Sequence, residues 1–297
     1  MMKLSTVIKT MRPAFLILTI ACVFLGICTS IATGSPISST TLSLIFLGAI
    51  TAHISVNMLN EYYDFRSGLD LITRKTAFSG GSGALPNNPD SAKLVLTFGL
   101  LALLMTSLIG LYFIFTLGAT ILPIGLVGLI IIVTYTQWLN RLPLVCLISP
   151  GVGLGLLMVV GTHIVLTYTH TQAVWLISLI PFFLINNLLL LNQYPDMQAD
   201  ASVGRNTFPL AFGIKRSNQV YLLFMLAAYT LIPQYILLGI LPTFSIIALT
   251  PMMLSIYALV GAIKHKAEIG LYPQYLAANV SATILTPFLL GTSMLMS

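Results

Sequence analysis

The stretch NEYYDFRSGLD (60–70) sets three carboxylates, Glu61, Asp64 and Asp70, directly after an apolar run long enough to cross a membrane. A second stretch, NQYPDMQAD (192–200), repeats the arrangement: each opens on Asn followed four residues later by Asp. Together they hold five of the chain's seven acidic residues. How these charges sit against the apolar runs decides the fold.

The 297 residues are 57% hydrophobic and 7% charged, with a mean hydropathy of +0.99. A soluble domain carries about a quarter charged residues, so the composition is that of an integral membrane protein. Apolar runs of spanning length predict nine transmembrane helices, at roughly 13–33, 41–60, 92–116, 119–138, 144–167, 172–193, 219–238, 242–263 and 274–296. That leaves one all-α, polytopic domain over 1–297. The first run follows Lys3, Lys9 and Arg12 but is too long for the apolar region of a secretory signal, so it reads as a retained helix. Cys22, Cys28 and Cys146 lie inside predicted helices without metal or redox spacing, and read as packing residues.

Thirteen Lys and Arg against seven Asp and Glu could suggest a nucleic-acid partner, but their positions argue otherwise. With the N-terminus in the cytoplasm, all thirteen fall on inner segments. GSPISST (34–40), LGAT (117–120), TYTHTQ (167–172) and GILP (239–242), on the opposite side, hold none. The positive-inside rule thus predicts a cytoplasmic N-terminus. Both acidic windows then open on the cytoplasmic face, after the second and sixth helices.

Helical spacing predicts that Asn192, Asp196 and Asp200 form one oxygen-bearing stripe. Gly68 is expected to end the second helix in a left-handed cap and turn Asp70 back, and Pro195 to kink the sixth helix at its mouth. Clustered carboxylate and amide oxygens suit a hard cation such as Mg²⁺, which is usually held by one or two carboxylates together with phosphate oxygens and water. Two facing clusters could hold a diphosphate between two ions, with Arg74, Lys75 and Arg205 meeting its remaining charge. Asp90 and Glu268 read as solvated loop charges. Glu61 either supports the site from behind or faces water.

Asn60-x-x-x-Asp64 with Asp70, then Asn192-x-x-x-Asp196-x-x-x-Asp200 and GRNTFPLAFG (204–213), resembles the UbiA superfamily of intramembrane prenyltransferases. Within it, the first stretch looks most like the 1,4-dihydroxy-2-naphthoate prenyltransferase branch. Glu61 stands where that branch usually has Asp, Arg205 where Lys is common and Ala211 where Arg is frequent, and TRKTAFSGGSGALP (73–86) differs from its usual continuation. The resemblance implies a helical bundle around a central cavity, in the inner (plasma) membrane with its active site facing the cytoplasm. It implies Mg²⁺-dependent transfer of an isoprenyl chain from an isoprenyl diphosphate to a small aromatic acceptor, in prenylquinone (menaquinone-like) synthesis or onto a non-quinone acceptor.

On that reading Asn60, Asp64, Asp70, Asn192, Asp196 and Asp200 serve Mg²⁺ and diphosphate. Arg12, Arg74, Lys75, Arg205, Tyr135 and Arg141 bind the diphosphate. For Arg12 a plain positive-inside anchor, and for Tyr135 an interfacial aromatic belt, are alternatives. His53 either lines the acceptor pocket or is satisfied by a neighbouring helix. Asn186, Asn187 and Asn279 should face the bundle interior, touching substrate or bridging helices. From another class, a cation transporter would carry charged residues at the helix centres, and here those centres hold no Asp, Glu, Lys or Arg.

Overall fold

The computed structural model of the chain describes residues 4–296; Lys3 lies outside the described residues. Every regular element among these residues is helical. Eight helices are long and apolar enough to cross a membrane: α1 (Leu4–Ile31), α2 (Ser39–Arg66), α3 (Pro89–Leu117), α5 (Pro143–Thr167), α6 (Gln172–Asn192), α7 (Phe208–Leu237), α8 (Thr243–Leu271) and α9 (Pro273–Leu295). Where a fourth span is expected stands the shorter apolar α4 (Ala119–Thr134). Its sixteen residues rise about 24 Å, less than the ~30 Å hydrocarbon core.

Local sequence explains the breaks that shape the site. α1 is interrupted at Arg12, which adopts a left-handed conformation (φ 53°) ahead of Pro13, the first residue of the following helical turn. Proline suits that position because its missing N–H has no intrahelical partner there. α2 ends as expected: Gly68 is left-handed (φ 82°), and the chain turns into the short helix Leu69–Ile72, which carries Asp70.

α5 contains a π-helical segment, Gly151–Leu157, directly after Pro150. The Gly151 N–H donates to Asn186 Oδ1 at 2.7 Å, and a Cβ on Gly155 would lie 2.7 Å from the Phe182 backbone nitrogen. The absence of side chains at these two positions therefore lets α5 lie directly on α6.

Two expectations are corrected. Asn192, Asp196 and Asp200 do not form a stripe on one continuous helix: α6 ends at Asn192, the chain turns through 193–196, and a separate helix runs Met197–Ser202. Pro195 lies within that turn, three residues past the end of α6. α7 begins at Phe208, well before the predicted apolar run at 219, with a kink at Gly213 (φ 80°). The polar KRSN (215–218) separates the start of this helix from its apolar run, so hydropathy marks only the later part.

α6 has the most buried face of the bundle, through Ile177, Ile180, Leu184, Ile185, Leu190 and Leu191. The intramembrane asparagines bridge helices: Asn187 donates to Tyr221 O (2.8 Å), Asn279 to Asn187 O (3.2 Å), and Tyr221 Oη to Asn279 Oδ1 (2.8 Å). Such contacts average about 0.6 kcal/mol in membrane bundles, so they fix the register of α6, α7 and α9 more than they stabilise it. On the other side α2 packs along α3, with Ser55 donating to Gly99 O (3.0 Å) and Gly48 against Ile109. Between these two walls lies the main cavity.

Candidate active site

The cavity has a volume of ≈ 670 Å³, and its head is lined by Arg12, Asn60, Asp64, Asp70, Tyr135, Asn192, Asp196, Asp200 and Arg205. Both acidic windows therefore meet at one place. Below the head the lining is apolar, with Ile45, Phe113, Ile114, Leu126 and Leu157 among it.

Arg205 joins the two windows. Its Nη1 donates to Asp200 Oδ1 at 3.0 Å and its Nη2 pairs with Asp64. Burial opposes the charge on Arg205, but Asp64 and Asp200 outweigh it and hold the guanidinium protonated. The expected phosphate ligand is thus also the bridge between the carboxylates.

The other oxygens are held less completely. Asp196 Oδ2 accepts the Gly80 N–H (3.1 Å), while Oδ1 is buried without a partner. Asp70 Oδ2 and Asn192 Oδ1 are likewise buried and unpartnered. Asn60 donates its amide N–H to Thr136 Oγ1 (3.2 Å), which leaves its oxygen as the group it can offer a cation.

Burial, and then repulsion from Glu61 and Asp64, pushes the Asp70 carboxyl up to about 7. Burial and then Asp200 push Asp196 up to about 7 against the opposing Gly80 N–H, and burial also raises Asp200.

Among the described residues, six of the eight buried side-chain polar atoms without a hydrogen-bond partner line this cavity. They belong to Asp70, Asn140, Asn192, Gln193, Asp196 and Thr207. An unsatisfied buried group costs about 1–3 kcal/mol, so such a concentration marks a site built to receive polar groups from outside. No three Asp, Glu, His or Cys side chains among the described residues close around a single point. That suits a cation held by one or two carboxylates together with phosphate oxygens, and does not suit an all-protein cage. By this donor set the residues fit Mg²⁺.

Glu61 takes a supporting place. It is fully buried; Arg12 donates to its Oε1 through Nε (2.8 Å) and Nη2 (2.6 Å), and Ser82 donates through its N–H (2.7 Å) and its hydroxyl (2.6 Å). Glu61 therefore anchors both the break in α1 and the loop 73–83. With Gly80 on Asp196 and Ser82 on Glu61, this loop lies across the head and touches both acidic windows. It takes left-handed turns at Gly80, Gly81 and Gly83, and a Cβ on Gly81 would lie 3.0 Å from Asp70 Oδ1. The longer acidic side chain at 61 and the glycine-rich loop, both departures from the resembled pattern, thus meet each other.

Three predicted diphosphate ligands are not brought to the head. Arg74 and Arg141 are exposed and outside the cavity lining. Lys75 is exposed, pairs with Ser82 O, and lines a smaller adjoining cavity with Lys9. Spacing along a loop does not encode its path, which is why these were not separable in the sequence. In the short helix Leu139–Arg141 that follows α4, it is Asn140, next to Arg141, that lines the cavity; its backbone carbonyl accepts the Asn206 N–H (3.0 Å). Asn140, Gln193 and Thr207 carried no signal in the sequence beyond proximity to the motifs. Asp90 and Glu268 are exposed, as expected. His53 is satisfied by a neighbouring helix, its Nδ1 lying 2.7 Å from Thr19 Oγ1, and it also lines the cavity wall.

The chain matches the profile of the UbiA prenyltransferase family over residues 17–269. It is 30% identical over 169 residues to the 1,4-dihydroxy-2-naphthoate octaprenyltransferase of Bacillus subtilis, covering 54% of this chain and 51% of that protein. The matched region thus spans about half the length of that relative. Its fold is similar to that of a UbiA homolog from Aeropyrum pernix K1 (TM-score 0.67, 15% identity, covering 94% of this chain and 96% of the other). It is also similar to a UbiA homolog from Archaeoglobus fulgidus bound to DMAPP and Mg²⁺ (TM-score 0.63, 13% identity, 97% and 99%).

Proposed function

The chain belongs to the UbiA prenyltransferase family, and from that premise we propose that it transfers an isoprenyl chain from an isoprenyl diphosphate to an aromatic acceptor, with Mg²⁺, in prenylquinone synthesis. The observation that carries this reading is the convergence of both acidic windows, with their unpartnered oxygens, on the head of one apolar cavity. The naphthoate activity of the Bacillus subtilis relative favours a related bicyclic acceptor.

In the reaction the allylic C–O bond breaks, its electron pair leaves on the diphosphate, and an aromatic carbon forms the new C–C bond as the ring loses a proton or a carboxyl group. Asn60, Asp64 and Asp70 would hold one Mg²⁺ and Asn192, Asp196 and Asp200 another, and the bound ions supply positive charge to the leaving diphosphate. Arg12 lies at the cavity head on Glu61, placed to add its charge to the same anion. Arg205, now paired with Asp64 and Asp200, would donate to phosphate oxygens in the same way where those carboxylates serve the ions. The apolar walls below the head exclude water from the allylic cation.

We place the N-terminus and the cavity head in the cytoplasm and read α4 as a ninth, short span. A single cysteine at Arg74 should then react with an impermeant thiol reagent only in inverted vesicles, and one at Ser35 only in intact cells.

The carboxyl shifts give a pH expectation. Asp70 and Asp196 bind a proton more readily in the fold (about 7) than in an unfolded chain (3.8). The stability they lend the EDTA-treated protein is therefore fully present below about pH 4 and lost as the pH rises toward 7. Mg²⁺ needs both groups ionised, so its affinity should rise from pH 6 to pH 8. Thermal unfolding with and without Mg²⁺ at the two pH values should show the larger metal-induced stabilisation at pH 8.

The enzymatic reading is tested by incubating the purified protein with radiolabelled isoprenyl diphosphates, Mg²⁺ and a panel of hydroxynaphthoates, hydroxybenzoate and homogentisate. Prenylation of a member of the panel that stops on adding EDTA is expected. Absence of both prenylation and diphosphate release under every metal condition would overturn it.

A further inference from the structure

Most glycines inside the spans are explained by what touches them. A Cβ on Gly26 would lie 2.7 Å from Val159 O, on Gly261 2.2 Å from the Tyr275 ring, and on Gly291 2.8 Å from Phe24. These are close helix contacts of the kind small residues permit in membrane bundles.

Gly110 in α3 and Gly125 in α4 have no such explanation. No heavy atom lies within 4 Å of where a Cβ would stand at either position, and neither has a left-handed backbone that would require glycine. Glycine is a poor helix former, and nothing in the packing offsets that here. Both residues line the main cavity. Gly128, one turn from Gly125 on the same face, lines it too, with its nearest neighbour, Leu157, at 3.9 Å.

These positions lie far from the charged head. α2 and α3 are paired so that Gly48 meets Ile109, which puts Gly110 near the level of Gly48, twelve residues and about 18 Å along the helix from Asn60. Gly125 is ten residues, about 15 Å, from Tyr135. A diphosphate at the head would leave this depth to the apolar chain attached to it. A short allylic chain would end above the glycines, while one of several isoprene units would run between them.

We propose that Gly110 and Gly125 set the length of isoprenyl donor the enzyme accepts, by keeping the far end of the cavity open between α3 and α4 for a long chain. The assignment rests on the prenyl-transfer reading. Side chains at these two positions would project into the space the distal isoprene units need, and leave the head unchanged.

The test compares wild type with Gly110→Leu and Gly125→Leu, using a series of donors from dimethylallyl diphosphate to geranylgeranyl diphosphate and longer, with Mg²⁺ and a fixed acceptor. Wild type should use the long donors. Each Leu variant should keep its rate with the shortest donor within about twofold and lose about tenfold or more in kcat/KM with the long ones. The smaller Gly125→Val should fall between. Long-donor use by both Leu variants equal to wild type overturns the assignment of the glycines. So does an equal loss on every donor accompanied by a folded Gly125→Val with unchanged donor preference. Wild type that turns over no donor at all overturns the prenyl-transfer reading itself, a result distinct from the other two.

Discussion

Asp196→Ala is expected to lower prenyl transfer by about 100- to 1,000-fold, the scale on which removing one preorganised charge-stabilising group acts, while leaving a folded protein. The fold does not need this carboxylate. Among the described residues Asp196 forms no ion pair, one of its oxygens is unpartnered, and its charge is opposed by burial and by Asp200 against the Gly80 N–H on its other oxygen. At pH 8 without metal the variant should therefore unfold at a temperature equal to or above wild type, and the stabilisation that Mg²⁺ gives wild type should disappear. Steady-state kinetics and thermal unfolding of one preparation check both halves. Retained turnover would remove Asp196 from the site.

Glu61→Ala should show the opposite balance. Its carboxylate is fully buried and holds the Arg12 guanidinium together with the backbone and hydroxyl of Ser82. Removing one partner of a buried ion pair costs about 3–5 kcal/mol, because the other charge is left without compensation. Arg12 keeps some contact with solvent, with 24% of its side chain exposed, so a loss at the lower end is expected. Thermal unfolding should drop clearly below wild type, and protease should cut the released loop 73–83 sooner. Combining Arg12→Met with Glu61→Met removes both charges, and should recover much of the stability while leaving activity low. A Glu61→Ala protein as stable as wild type would show that the pair does not hold the loop.

These two carboxylates also show what sequence could and could not reveal. The acidic windows were legible because a chain with only seven acidic residues places five of them in two matching stretches. The pattern Asn-x-x-x-Asp, together with the Asp that follows each copy, named six of the residues that line the cavity head, and the left-handed cap at Gly68 follows from glycine's freedom alone. Spacing could not tell Glu61 from its neighbours. Its function depends on Arg12 and Ser82, which lie 49 and 21 residues away.

For the same reason sequence position does not separate Arg74, which follows the first window, from Arg205, which follows the second. Only Arg205 sits just past the short helix Met197–Ser202, where it reaches Asp200 and Asp64 together. Hydropathy located the spans because burial in lipid demands apolar runs. It missed the first turns of α7, where the polar KRSN (215–218) separates the short apolar FPLAFGI from the spanning run.

The central claim is that the two windows form one site for one diphosphate. Binding of a non-reactive isoprenyl thiodiphosphate, measured by calorimetry with and without Mg²⁺, tests it most directly in wild type, Asp64→Asn, Asp196→Asn and the double variant. A single shared site predicts tight binding only with Mg²⁺, a large loss in each single variant, and little further loss in the double. Losses that simply add, or binding in either single variant that equals wild type, would contradict it.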